Sequence, residues 1–121
     1  MKILVVDDNY SITELLLEYF KKKGHDCVTT NDGKEGLSLC LNSKFDAIIL
    51  DLAMPDFTGM DFLNSLTQKG KIAEQKIIVL TAMPLGEVKI GDRRHGICEV
   101  LPKPCNLSVL LKTLESFNVV A

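Results

Sequence analysis

Three aspartates, a threonine and a lysine each stand just past a short apolar run, and together they form a set able to handle phosphate. Lys2-Ile3-Leu4-Val5-Val6 runs into Asp7 and Asp8, and Asp46-Ala47-Ile48-Ile49-Leu50 runs into Asp51. Lys76-Ile77-Ile78-Val79-Leu80 runs into Thr81, and Glu99-Val100-Leu101-Pro102 runs into Lys103. Carboxylates serve as nucleophiles and as ligands for hard metals, a hydroxyl donates to an anionic oxygen without adding charge, and an ammonium neutralises developing negative charge. These are the parts of phosphoryl transfer to a carboxylate, in which positioning and charge stabilisation dominate. Singly, each has an ordinary reading: an Asp after a strand is usually a turn or a helix cap, and a Lys there a surface charge. The weight lies in their combination.

What would bring them together is a parallel sheet. Val/Ile/Leu runs of this length read as strands buried on both faces, and all strands of a parallel sheet end at one edge, where α/β proteins bind ligands. Between the runs the apolar period changes to about 3.6. Asn9 offers a cap for a first helix whose inner stripe is Ile12, Leu15, Leu16, Tyr19 and Phe20. Lys21 to Lys23 suit its negative end and Gly24 its stop. A short strand follows at Cys27-Val28-Thr29, then a helix capped by Asn31 with Leu37, Leu39, Cys40 and Leu41 on its apolar positions. The loop from Met54 to Gly59 leads to a helix with Met60, Phe62, Leu63 and Leu66. The weakest pattern, roughly Leu85 to Arg94, contains Gly86 and Gly91, each costing up to about 1 kcal/mol relative to Ala. That helix is expected to be short, and to order on phosphorylation or partner binding. A last helix begins near Asn106 and uses Leu107, Leu110, Leu111, Leu114 and Phe117. Alternating strands and helices predict an α/β fold, a five-stranded parallel sheet flanked by five helices in three layers.

The 121 residues, 46% hydrophobic and 25% charged, suit one globular domain spanning the whole chain with no separate output domain. A net charge of -2 gives no bulk attraction to nucleic acid or anionic membranes. With no membrane-spanning stretch and no secretory pattern, a cytoplasmic location is the expectation. Four cysteines without a CxxC pair and only two histidines argue against zinc, so the thiols read as small, partly buried and reduced. The acidic edge, by contrast, needs a cation. Two like charges about 4 Å apart repel by roughly 4 kcal/mol at an effective dielectric of 20. A hard divalent ion relieves that, and Mg²⁺ in particular accepts carboxylates, waters and phosphate together.

At these intervals the residues match a family. The chain resembles the receiver domain of two-component response regulators from Lys2 to about Phe117. The likeness is carried by Val5-Val6-Asp7-Asp8-Asn9, Asp51-Leu52-Ala53-Met54-Pro55 with Gly59 following, Leu80-Thr81-Ala82, and Lys103-Pro104. It implies a flavodoxin-like fold with strand order 2-1-3-4-5. It implies that Asp51 accepts a phosphoryl group from a histidine kinase or a histidine phosphotransfer protein. Asp8, Asp51 and the Ala53 carbonyl would ligate Mg²⁺ directly and Asp7 mainly through water, with Mn²⁺ an acceptable substitute. Thr81 would bind a phosphoryl oxygen and swing inward, and Lys103 would pair with the acyl phosphate. It implies a cis Lys103–Pro104 bond, which the base rate of about 5–6% for X–Pro bonds does not suggest. The expected protein is a regulatory switch, not a conventional enzyme, catalysing only its own Mg²⁺-dependent phosphorylation and dephosphorylation. Its partners would be the phosphodonor and an unidentified downstream protein, and the chain itself a monomer or weak dimer.

Some positions depart from the family pattern. Val100 stands where receivers usually carry an aromatic that turns inward with the hydroxyl residue, and a valine has no ring to swing. Ala53 and Met83 occupy the places that govern how fast water removes the phosphoryl group. Neither orients a water, so a long-lived phosphorylated state is expected. Leu17, or Ile12 and Leu15 at the helix rim, would meet the phosphodonor. Two other functions fit an α/β sheet. A flavin-binding redox module needs a Ser/Thr/Gly-rich first loop, where this chain has Asp7-Asp8-Asn9. A small Mg²⁺-dependent phosphohydrolase needs a second Asp two residues beyond the nucleophile, where this chain has Ala53.

Overall fold

The computed structural model describes residues 1–84 and 96–117. Its strands are β1 (Lys2–Val6), β2 (Asp26–Thr30), β3 (Ala47–Leu50), β4 (Ile77–Thr81) and β5 (Ile97–Pro102). Its helices are α1 (Tyr10–Lys22), α2 (Gly33–Asn42), α3 (Gly59–Gln68) and α4 (Leu107–Ser116), with a 3₁₀ turn at Ile72–Glu74. The helix expected over roughly Leu85 to Arg94 lies outside the described residues.

All strand pairs are parallel, in the order β2-β1-β3-β4-β5. The period-2 alternation divides the sheet's side chains between two helical layers. Leu4, Val6, Ile48, Leu50, Ile77 and Val79 pack with Phe62, Leu63 and Leu66 of α3 and Cys40 of α2. Ile3, Val5, Ala47, Ile49, Ile78 and Leu80 pack with Leu16 and Phe20 of α1 and Leu110 and Leu114 of α4. The central strands β1, β3 and β4 are buried almost throughout. This explains why their sequences read as continuous apolar runs rather than alternating ones.

Several local expectations need correction. Leu15 is 52% exposed, whereas Leu16 and Phe20 are buried and Thr13 takes an inner place. At 100° per residue, Leu15 and Leu17 stand on opposite rims of the Leu16 stripe. Leu17 is half-buried, so the exposed rim is the Leu15 side. Leu41 is likewise exposed rather than packed. The cap of α2 is Asp32, whose Oδ1 accepts the Lys34 N–H at 3.1 Å, and not Asn31. All four thiols are free, but Cys98 is exposed rather than partly buried. Burial pushes the Cys27 and Cys40 thiols up to about 11, which keeps them protonated and unreactive at neutral pH.

Gly36 sits inside α2 where Ala would ordinarily strengthen a helix. A Cβ there would stand 2.7 Å and 2.9 Å from the two methyls of buried Val6. Val is stiff at χ1 and Val6 lies in the packed core, so it has little room to yield. Gly36→Ala is therefore expected to destabilise the protein by about 1–3 kcal/mol, despite its better helix propensity. Urea unfolding checks this, and a stabilised variant would contradict it.

Candidate functional site

The strand register assembles the site. Val6 of β1 is level with Leu50 of β3, so Asp7 and Asp51 leave the sheet side by side. The backbone locks them there: the Asp51 N–H donates to the Val6 carbonyl at 3.0 Å, and the Asp7 N–H donates to the Thr30 carbonyl at 3.2 Å. By strand parity, Asp7 follows Ile3 and Val5, and Asp51 follows Ala47 and Ile49, on the α1/α4 side. On the far side of β4, Thr81 is level with Pro102, and the Lys103 N–H donates to the Thr81 carbonyl at 2.8 Å. The Lys103–Pro104 peptide is cis, as the resemblance implies.

Oxygens of Asp7, Asp8 and Asp51 all lie within 4.8 Å of one another. Lys103 Nζ reaches Asp7 Oδ2 at 2.7 Å and Asp51 Oδ2 at 3.5 Å. Asp7 and Asp51 side chains are 3% and 4% exposed, so this charge sits in a weakly screening environment. Burial above all raises the Asp51 pKa, helped by Asp7 and Asp8. The Ala53 N–H and Lys103 pull the other way. Three carboxylates against one ammonium leave an excess of negative charge. An oxygen-only set of this size suits a hard divalent cation such as Mg²⁺.

Individual bonds orient the acids. Asp51 Oδ1 accepts the Ala53 N–H at 3.1 Å, and Asp7 Oδ1 accepts the Asn9 N–H at 3.0 Å. Thr81 is fully buried, and its hydroxyl accepts the Met83 N–H at 3.1 Å. Met83 is 38% exposed just beyond it. Val100 is half-buried, level with Val79 and packed in the α2/α3 layer. Behind Asp51, the start of α3 comes very close: a Cβ on Gly59 would stand 2.3 Å from the Asp51 carbonyl oxygen and 2.6 Å from Leu52 Cα. A capping box holds that helix start, Thr58 and Asp61 each accepting the other's backbone N–H at 3.1 Å and 2.9 Å. The Thr58-Gly59-Met60-Asp61 spacing ahead of an apolar run was available in the sequence as a signal for it. The sequence reading also missed Asn31 and Thr13, which brace the Asp7–Asn9 loop.

The family model described as the response regulator receiver domain matches residues 3–115. The chain belongs to that family. This receiver is 28% identical over 115 residues to the protein PilH of Pseudomonas aeruginosa, covering 95% of each chain. It superposes on the chemotaxis protein CheY4 of Vibrio cholerae with a TM-score of 0.83 at 33% identity, covering 96% of this chain and 97% of that one. It also superposes on the response regulator TrrA of Thermotoga maritima, solved in complex with Mg²⁺ and BeF, with a TM-score of 0.80 at 30% identity, covering 96% and 97% of the two chains. Other curated relatives, 32% identical, are longer, and the chain spans 50% of their length. Receivers are regulatory domains of two-component signalling that act through phosphorylation, and aspartyl phosphate and Mg²⁺ binding are typical of them. The family match decides for the receiver over the flavin and phosphohydrolase readings. Among the described residues no helix is long and apolar enough to cross a membrane.

Proposed function

We propose that this receiver is phosphorylated on Asp51 by a histidine kinase or histidine phosphotransfer protein, and that the phosphorylated form binds a downstream protein differently. The observation that carries this is the convergence of Asp7, Asp8, Asp51 and Lys103 from the ends of β1, β3 and β5 on one patch, with Asp7 and Asp51 buried and Asp8 at its exposed rim. Asp7, Asp8, Asp51 and the Ala53 carbonyl would hold Mg²⁺, with Mn²⁺ as a substitute. The ion supplies charge neutralisation for the phosphoryl oxygens. A carboxylate oxygen of Asp51 attacks phosphorus as the bond to the donor histidine breaks, and the imidazole leaves. The Ala53 N–H keeps the Asp51 carboxyl oriented, and Lys103 offsets the charge gathering on the transferred group. Thr81 would give up its bond from Met83 to meet a phosphoryl oxygen. Only contacts made in one state and not the other can shift the switch.

An apolar groove of about 430 Å³ opens beside Lys103, lined by Ile12, Leu15, Leu80, Pro104 and Leu107 among others. Its position supports docking of the phosphodonor there, through Ile12 and Leu15 rather than Leu17.

The test is to supply a small acyl phosphate with Mg²⁺ and map the modified peptide by mass spectrometry. Modification at Asp51 is expected, and a phosphoryl group found only elsewhere ends the reading. Because Ala53 and Met83 cannot orient water, the acyl phosphate is expected to decay at the slow end of the family's range. Loss of the bound phosphoryl group over time measures it, and decay at the fast end contradicts it.

A further inference from the structure

A polar chain from the loop between β2 and α2, shared with α1, braces the acidic loop. Asn31 Nδ2 donates to the Asp7 carbonyl at 2.8 Å and to Thr13 Oγ1 at 3.0 Å. Thr13 Oγ1 in turn donates to the Tyr10 carbonyl at 3.1 Å. The chain thus starts at one end of the Asp8-Asn9 turn and finishes at the other. Both amide hydrogens of Asn31 are used, and the Thr13 hydroxyl both accepts and donates. Thr13 is only 2% exposed, so water competes little for these bonds.

The consequence falls on Asp8. Asp7 has three further holds: its N–H on Thr30, its Oδ1 on Asn9 and its Oδ2 on Lys103. Among the described residues no hydrogen bond or ion pair holds the Asp8 carboxyl. Its place near Asp7 and Asp51 therefore depends on its backbone. The peptide from the Asp7 carbonyl to the Asp8 nitrogen is a rigid plane. Holding its oxygen fixes where the Asp8 Cα lies and the axis about which its side chain turns, and the hold on the Tyr10 carbonyl restrains that turning from the other end.

We infer that Asn31, braced by Thr13, is a positioning residue that sets the Asp8 carboxylate for cation binding without touching the cation. This rests on the reading of Asp7, Asp8 and Asp51 as an Mg²⁺ site. Groups behind metal ligands commonly account for 10- to 100-fold in affinity.

Calorimetric titration with Mg²⁺, well below the melting temperature, tests it. Asn31→Ala is expected to weaken binding about tenfold. Thr13→Val, which removes the brace but keeps the shape, is expected to weaken it in the same direction, while Thr13→Ser keeps the parent affinity. The Mg²⁺ concentration for half-maximal phosphorylation by a small acyl phosphate should rise in step with the dissociation constant. An Asn31→Ala protein that is less stable yet binds Mg²⁺ within about twofold of the parent overturns the inference, since a merely structural role leaves affinity alone. Should Asn31→Ala not fold, unchanged affinity in Thr13→Val overturns it equally. A parent that binds no Mg²⁺ removes the metal-site reading itself, an outcome distinct from a parent that binds and a variant that binds as well.

Discussion

Asp51→Asn protein mixed with an acyl phosphate and Mg²⁺ is expected to gain no phosphoryl group, and without Mg²⁺ to melt about 5 °C above the parent. The first effect follows from the proposed role of Asp51 as nucleophile, since an amide oxygen cannot replace the carboxylate. The second follows from the charges. At separations of no more than 4.8 Å and an effective dielectric of 20, each like-charge pair costs about 3.5 kcal/mol or more. Lys103, 3.5 Å from Asp51 and closer to Asp7, offsets only part of that. Burial above all, helped by Asp7 and Asp8, makes the folded Asp51 carboxyl hold its proton more tightly than in the unfolded chain. Its contribution to stability is therefore present below the ordinary carboxylate range and lost as pH rises through the raised folded value. At neutral pH the ionised group is a net cost that asparagine does not carry. The advantage of the variant should narrow in acid, and Mg²⁺ should narrow it too by stabilising the parent. Melting curves across pH with and without Mg²⁺ measure this, and a variant less stable than the parent at neutral pH without Mg²⁺ refutes it.

Gly59→Ala is expected to cost about 3 kcal/mol, at the upper end for overpacking, and to weaken Mg²⁺ binding with it. The atoms in the way are the Asp51 carbonyl oxygen and Leu52 Cα, at 2.3 Å and 2.6 Å. Backbone atoms at the end of a buried strand cannot rotate aside as a long side chain would. Either α3 moves away from the sheet or Asp51 moves with its carbonyl. Gly70 provides the contrast: its φ is +67° but nothing lies within 4 Å of a Cβ there. Gly70→Ala should cost only the left-handed backbone penalty of about 1 kcal/mol. Urea unfolding at unchanged m separates the two, and equal losses would count against the steric account.

The sheet and its acidic edge were legible in the sequence because burial on both faces leaves continuous apolar runs, and each run ends in a candidate site residue. The end of each central strand was readable to within a residue for that reason. Helix rims were not. Leu15 and Leu17 are equally far from the stripe centre, and only the packing of α1 decides which one meets solvent. The cap of α2 was equally ambiguous, because Asn31 and Asp32 are both good caps and stand next to each other. Asp32 took the cap, which left Asn31 to reach back across the sheet edge. No local pattern announces a bond between positions 31 and 7, since it exists only once β1 and β2 are paired. The roles of Val100 and Met83 came from the resemblance alone.

On the proposed Mg²⁺ reading, the Lys103 ammonium beside Asp7 already meets part of the charge demand that a divalent ion would meet. The protein thus carries a tethered counter-charge at its acidic edge. Any arriving ion must outbid a tethered competitor whose local concentration never falls. The same amine already stands 3.5 Å from the Asp51 oxygen proposed to take phosphorus.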